Sequence, residues 1–123
     1  MKRLLVVDDS STIRLYCRQV FEGSGYALSE AINGIDALEQ LLEQPFDLYI
    51  VDINMAKMNG YSLVRELRSR ALPQVPVLMM STESTPEDER QAYAAGANLY
   101  LNKPVQGRVL KACVQVLLGE TLA

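Results

Sequence analysis

The stretch LLVVDDSS at residues 4–11, set beside LYIVDINM at residues 48–55, decides how this chain folds. Each carries an unbroken apolar run directly into an acid. A continuous apolar run, unlike an alternating one, marks a strand covered on both faces, as central strands of parallel sheets are. Working outward, further short runs at residues 27–31, 77–80 and 99–101 bring the expected strands, with 4–7 and 48–51, to five. The intervening segments have helical period. Ile13, Cys17, Val20 and Phe21 mark a first face, Ile35, Leu38 and Leu42 a second, and Val64, Leu67 and Ala71 a third. The fourth segment, residues 86–95, has the weakest apolar face, and Leu110, Cys113, Val114 and Leu117 define the last.

Local punctuation agrees. Asn33-Gly34 and Asn59-Gly60 read as helix starts capped by asparagine. Thr85-Pro86-Glu87-Asp88 supplies a capping hydroxyl, a first-turn proline and acids at the positive end of the helix dipole. Gly23 and Gly96 stand where the first and fourth helices should stop, and Pro45 and Pro73 close the second and third. Strict β/α alternation implies a parallel sheet with helices on both faces. The second strand, Ala-Leu-Ser-Glu-Ala, mixes polar with apolar residues and the fifth is short, so both suit edges. The expected fold is therefore α/β, doubly wound (βα)5 and flavodoxin-like, a five-stranded parallel sheet in the order 2-1-3-4-5 with its switch point between strands one and three.

Composition narrows the function. At 123 residues the chain fits one domain with a real core, and 49% apolar against 22% charged residues is ordinary for a globular protein. A net charge of −3 argues against nucleic acid, which wants a basic face. Asp8 interrupts the first apolar run long before a secretory core could form, and no stretch approaches membrane-spanning length. A cytoplasmic protein is expected, and Cys17 and Cys113 are read as reduced, buried small hydrophobes. Histidine is absent altogether. That excludes Ser-His-Asp and Cys-His mechanisms, a histidine zinc site and a phosphorylated histidine.

Ligands of such a sheet bind beyond the carboxyl ends of the strands, near the switch point. There strand one ends in Asp8-Asp9 and its neighbour strand three in Asp52. At ~4 Å and an effective dielectric near 20, each like-charged pair costs roughly 4 kcal/mol, which a hard divalent cation relieves. An all-oxygen cluster suits Mg²⁺ or Mn²⁺. Strand four leads to Ser81-Thr82 and strand five to Asn102-Lys103-Pro104, a hydroxyl and an ammonium at the same rim. Metal, carboxylate, hydroxyl and lysine together can hold a phosphoryl group, whose transfer needs chiefly positioning and charge neutralisation. An ionised aspartate attacks without a general base. Asp52, alone on the central strand, is the expected nucleophile, leaving Asp8 and Asp9 for the metal. Singly, each residue has a plainer role: Asp9 or Ser10 as a helix cap, Asp52 as a turn opener, Ser81 and Thr82 as loop hydroxyls, Lys103 as a solvated charge. Their convergence on one sheet edge is what argues for chemistry.

On Asp8-Asp9, Asp52 within DINMAKMNG, Ser81-Thr82, and Lys103-Pro104 within GANLYLNKP, the chain resembles a response-regulator receiver domain over essentially residues 1–123, with no output domain. The resemblance implies Asp52 as phosphoacceptor, Asp9 as a direct Mg²⁺ ligand, Asp8 assisting through water, and the Asn54 backbone carbonyl completing the protein's share of the metal shell. It implies that Ser81 and Lys103 bind phosphoryl oxygens, and that the bond before Pro104 is cis. It implies a switch in which Ser81 moves toward the phosphoryl group and Tyr100 turns inward, remodelling the surface of the fourth helix, fifth strand and fifth helix. Within the family the likeness is to stand-alone chemotaxis receivers of the CheY type. Asn54 and Glu83 match the pair that flanks the phosphoryl group there and governs its lifetime.

The partners implied are a sensor histidine kinase, a downstream target such as a flagellar motor switch, and a phosphatase, with no nucleic acid and no membrane. The state implied is monomer or weak homodimer. The sequence departs from the family at Ala56, Asn59, Thr82 and Val105, none of them a reacting group. A phosphorelay intermediate or kinase-regulating receiver outside motility is the near alternative. A haloacid-dehalogenase-like phosphatase would need an acid where Asn54 stands. A flavin or nucleotide carrier would need a glycine- or hydroxyl-rich first loop, and a pseudo-receiver would not need the full constellation.

Overall fold

The computed structural model describes residues 1–82 and 85–120. Five strands alternate with five helices: β1 Arg3–Val7, α1 Ser11–Val20, β2 Ala27–Ala31, α2 Gly34–Glu43, β3 Leu48–Asp52, α3 Gly60–Ser69, β4 Val77–Ser81, α4 Pro86–Ala95, β5 Leu99–Asn102 and α5 Gly107–Leu117. All strand pairs are parallel. The order is β2-β1-β3-β4-β5, as the polar edge strand and the apolar central strands require.

Because side chains alternate across a strand, the sheet carries two cores. Leu4, Val6, Leu48, Ile50, Leu78 and Met80 pack toward α1 and α5, against Cys17, Phe21, Leu110 and Val114. Leu5, Val7, Tyr49, Val51, Val77 and Met79 pack toward α2, α3 and α4, against Ala37, Leu63, Val64, Leu67 and Ala92. Burial on both faces is why β1 after Arg3, and β3 and β4 before their last residues, are built almost wholly of apolar side chains.

The expected caps form. Asn33 accepts from Asp36 N, Asn59 from Ser62 N, and Thr85 from Asp88 N. At α1 the choice between Asp9 and Ser10 falls to Ser10, whose hydroxyl accepts from Ile13 N. Gly96 closes α4 at φ 119°, a left-handed conformation that suits glycine.

Three apolar assignments shift. On α2, Ile35 and Leu42 are 44% and 79% exposed, and the inward face is Gly34, Ala37, Leu38 and Leu41. The two faces differ by about one residue in phase, and glycine and alanine give too little hydrophobic signal to reveal the true one. On α3, Leu63 takes the inward place expected for Ala71, which lies exposed beyond the helix end. Cys17 is buried as expected, but Cys113 is only half-buried.

One close approach couples the fold to its functional edge. Gly60 opens α3 by folding back on the end of β3, its N–H donating to Ile53 O at 2.9 Å. A Cβ there would lie 2.5 Å from Asp52 O and 2.8 Å from Ile53 Cα, both backbone atoms. Gly60→Ala is expected to lower stability by about 1–3 kcal/mol. The check is a urea titration in which the midpoint falls while the slope is unchanged.

Candidate phosphoryl and metal site

The site lies at the carboxyl ends of the strands: Asp52 and Ser81 are the last residues of β3 and β4, and Asp8 and Lys103 come one residue after β1 and β5. Asp8 N donates to Ala31 O at 3.1 Å and Lys103 N to Ser81 O at 2.7 Å, so the parallel ladders continue into the residues that matter. The strand alternation then sorts them. Asp8, Asp52 and Lys103 continue the series facing α1 and α5, whereas Ser81 and Tyr100 continue the series facing α4.

The Lys103 ammonium donates to Asp52 Oδ1 at 2.8 Å and to Asp8 Oδ2 at 2.9 Å. Asp8 is 1% exposed and Asp52 5%, so the lysine bridges two carboxylates largely removed from water. Asp8 Oδ1 also accepts from Ser10 N at 2.9 Å, at the positive end of the α1 dipole. Asp9, by contrast, is exposed. Asp8, Asp9 and Asp52 each offer an oxygen within 4.8 Å of the others. At that distance and an effective dielectric near 20, each charged pair repels by roughly 3–4 kcal/mol. One ammonium cannot offset three carboxylates.

The pKa values register the conflict. Burial first, then the charges of Asp8 and Asp9, raise Asp52 above the ordinary aspartate value, while its hydrogen bond from Lys103 opposes them. Burial pulls the Lys103 ammonium down, but its bonds to Asp52 and Asp8 outweigh that and leave it raised. Nearby, burial and then the charge of Asp8 push the Cys17 thiol up to about 12, so it stays protonated and inert.

Residues 4–115 match the family described as response regulator receiver domain. The chain belongs to that family. It is 38% identical over 120 residues to the chemotaxis protein CheY1 of Helicobacter pylori, covering 95% of this chain and 97% of that protein. It is also 36% identical over 118 residues to the transcriptional regulatory protein ZraR of Escherichia coli K12, covering 96% of this chain but 26% of that one. The structure of Vibrio cholerae chemotaxis protein CheY4 superposes with a TM-score of 0.89 at 33% identity, covering 95% of this chain and 98% of that one. As a receiver domain the chain is a phosphoacceptor switch rather than an enzyme with turnover of its own. Receiver domains as a family take phosphoryl groups from histidine kinases and lose them with the help of phosphatases.

The acid cluster matches the Mg²⁺ site of receiver domains, and its chemistry fits: three carboxylates, all hard oxygen donors, in uncompensated repulsion. The exposed Asp9 is open to an ion directly, while both Asp8 oxygens already accept hydrogen bonds. Asn54 is exposed on the loop that follows Asp52. That loop turns through positive φ at Lys57 and Met58 before Asn59 caps α3. The Lys103-Pro104 bond is cis, as the resemblance implied. Ser81 is wholly buried, Thr82 is exposed, and Tyr100 is 8% exposed in the core layer that faces α4. Glu83 lies outside the described residues.

Two contributors escaped the sequence reading. Arg14 donates to Asp8 O at 2.6 Å and to Glu30 at 2.9 Å, locking the acid-bearing turn to β2. Tyr16 reaches the loop after Lys103. On a surface helix neither arginine nor tyrosine stands out, because the bond each makes to the site goes to a backbone carbonyl, which has no sequence signature.

Two outcomes follow. With its pKa raised, Asp52 contributes stability in full below its unfolded value of about 3.9, and that contribution is lost as pH rises through the folded value. In a metal-free carboxyl NMR titration Asp52 should titrate above an ordinary aspartate, lower in Asp8→Asn and higher still in Lys103→Met. At ten times its dissociation constant, Mg²⁺ should add about 1.4 kcal/mol of stability. That is roughly 5 °C in Tm by calorimetry, and Asp9→Asn should abolish most of the gain.

Proposed function

We propose that the chain accepts a phosphoryl group on Asp52 and answers by reshaping the surface formed by α4, β5 and α5. The observation that carries this is the Lys103 ammonium held 2.8 Å from one oxygen of Asp52 and 2.9 Å from Asp8. A cation beside the attacking atom is placed to receive the oxygens of an incoming phosphoryl group.

The chemistry needs little else. An Asp52 carboxylate oxygen attacks phosphorus in line, and the bond to the leaving group breaks. From a kinase phosphohistidine the P–N pair returns to the imidazole nitrogen; from acetyl phosphate the P–O pair leaves on acetate. Asp9, Asp52 and the Asn54 carbonyl, with Asp8 assisting, would hold Mg²⁺, and the chemistry it would supply there is neutralisation of charge on the transferring oxygens. Lys103 shares that work by leaving Asp8 and turning wholly to the phosphoryl group. Ser81 supplies a hydroxyl to a phosphoryl oxygen, and Asn54 with Glu83 sets how readily water attacks.

The output follows from the strand alternation. Ser81 and Tyr100 continue the same face of adjacent strands, toward α4. Drawing Ser81 toward the phosphoryl group therefore changes the packing of Tyr100. α4 buries only Ala92 and Ala95 outright and is the helix such a change displaces.

A chemotaxis role for a receiver acting alone, with a flagellar motor switch as target, is supported by the end-to-end similarity to Helicobacter pylori CheY1. A role outside motility is supported by the similarity to the receiver portion of ZraR. With Mg²⁺, acetyl phosphate should label the wild type at Asp52 and leave Asp52→Asn at background. Lys103→Met should slow labelling by about 10²–10³-fold, the usual loss on removing one charge-stabilising donor. Intact mass spectrometry reads both, and Asp52→Asn labelled to wild-type stoichiometry would remove the assignment.

A further inference from the structure

Helix α1 touches the site twice. Its first turn serves the acids through Ser10 and Arg14. Further along, the Tyr16 phenol donates a 2.6 Å hydrogen bond to the carbonyl of Val105, two residues past Lys103.

That bond falls where the backbone is otherwise thinly held. Ladder support ends at Lys103 N to Ser81 O, and helical support begins with Val109 and Leu110 donating to Gln106 O. Between them Pro104 has no N–H to give. The Gln106 side chain makes no capping bond to α5. Among the described residues Tyr16 makes the one side-chain hydrogen bond to the backbone of residues 104–106. The elbow is also tight: a Cβ on Gly107 would lie 3.5 Å from the Tyr16 hydroxyl and 3.2 Å from Val20 Cγ2. The ring shares an apolar cleft of about 240 Å³ with Ile13, Met80, Pro104 and Lys103, so ring and lysine stem border the same space.

We propose that Tyr16 is a positioning residue for phosphoryl acceptance: by holding the Val105 carbonyl, it fixes the segment from which Lys103 reaches Asp52. This rests on the roles given above to Asp52 and Lys103. A lysine stem has many rotamers, and where its ammonium arrives depends on where its backbone is anchored. Ladder hydrogen bonding anchors that backbone on the β5 side of Lys103, and Tyr16 anchors it on the α5 side.

The test is a double-mutant cycle, which isolates action through a partner from a general structural effect. Tyr16→Phe keeps the ring and removes only the hydroxyl. It should lower the maximal rate of labelling by acetyl phosphate about five- to tenfold, since a small misplacement of a charge-stabilising group is felt strongly in rate. Mg²⁺ affinity should change by less than the labelling rate does, because the acids are carried by β1 and β3 and Tyr16 holds only the segment that follows the lysine. In a Lys103→Met background the same substitution should change nothing further. The cycle is also read on beryllium fluoride affinity, which needs no turnover. An equal loss in both backgrounds, or wild-type behaviour of Tyr16→Phe on both readouts, overturns the proposal. If wild type is not labelled at Asp52, or Lys103→Met labels as fast as wild type, the underlying assignment fails and takes this proposal with it; that result is distinct from an intact lysine effect without coupling to Tyr16.

Discussion

The structure depends on a crowding of negative charge that the fold itself enforces. Once β1 and β3 are neighbours, Asp8, Asp9 and Asp52 must share one edge of the sheet, with an oxygen of each within 4.8 Å of the others. Among the described residues the ammonium that answers them is that of Lys103, 51 and 95 residues along the chain from its two partners. The balance stays short by two charges when all four groups are ionised, three negative against one positive. A protein selected for stability alone would not keep such an arrangement. It makes sense as a receptacle for a dication and for a group that brings its own oxygens to the lysine.

Around that receptacle the local devices act in concert. Ser10 caps α1 while its N–H serves Asp8, so one turn satisfies both helix and acid. Arg14 ties Asp8 to β2 through Glu30, and Gly60 lets α3 start against the backbone of Asp52. Each is a contact between a helix terminus or first turn and the end of a strand. Asp8 and Asp52 are therefore held by the ends of β1 and β3, whereas Asp9, Asn54 and Lys103 stand on the connections that follow strands.

The two-residue period of the strands also separates chemistry from output. Asp8, Asp52 and Lys103 continue the face toward α1 and α5, whereas Ser81 and Tyr100 continue the face toward α4. Ser81 is the point where the sides meet, its carbonyl accepting from Lys103 N while its side chain belongs to the other face. α4 rests there on two alanines, with the Tyr61 hydroxyl on Asp88 O at 3.2 Å and Arg68 on Gly96 O at 3.0 Å holding it to α3. Little apolar surface resists its movement, which is what a reporting element needs.

Sheet order, the helix caps at Asn33, Asn59 and Thr85, and the gathering of Asp8, Asp9, Asp52, Ser81 and Lys103 at one edge were all legible in the sequence. They follow from periodicity and from the rule that parallel strands present their carboxyl ends together. The sequence did not reveal which face α2 buries, because glycine and alanine carry almost no hydrophobic signal. Nor did it reveal Arg14 and Tyr16, whose partners are the carbonyls of Asp8 and Val105. A side chain advertises its own chemistry, but every residue has a carbonyl. Which carbonyl it meets is decided only when elements distant in sequence pack, and here the approach of α1 to the start of α5 made that choice.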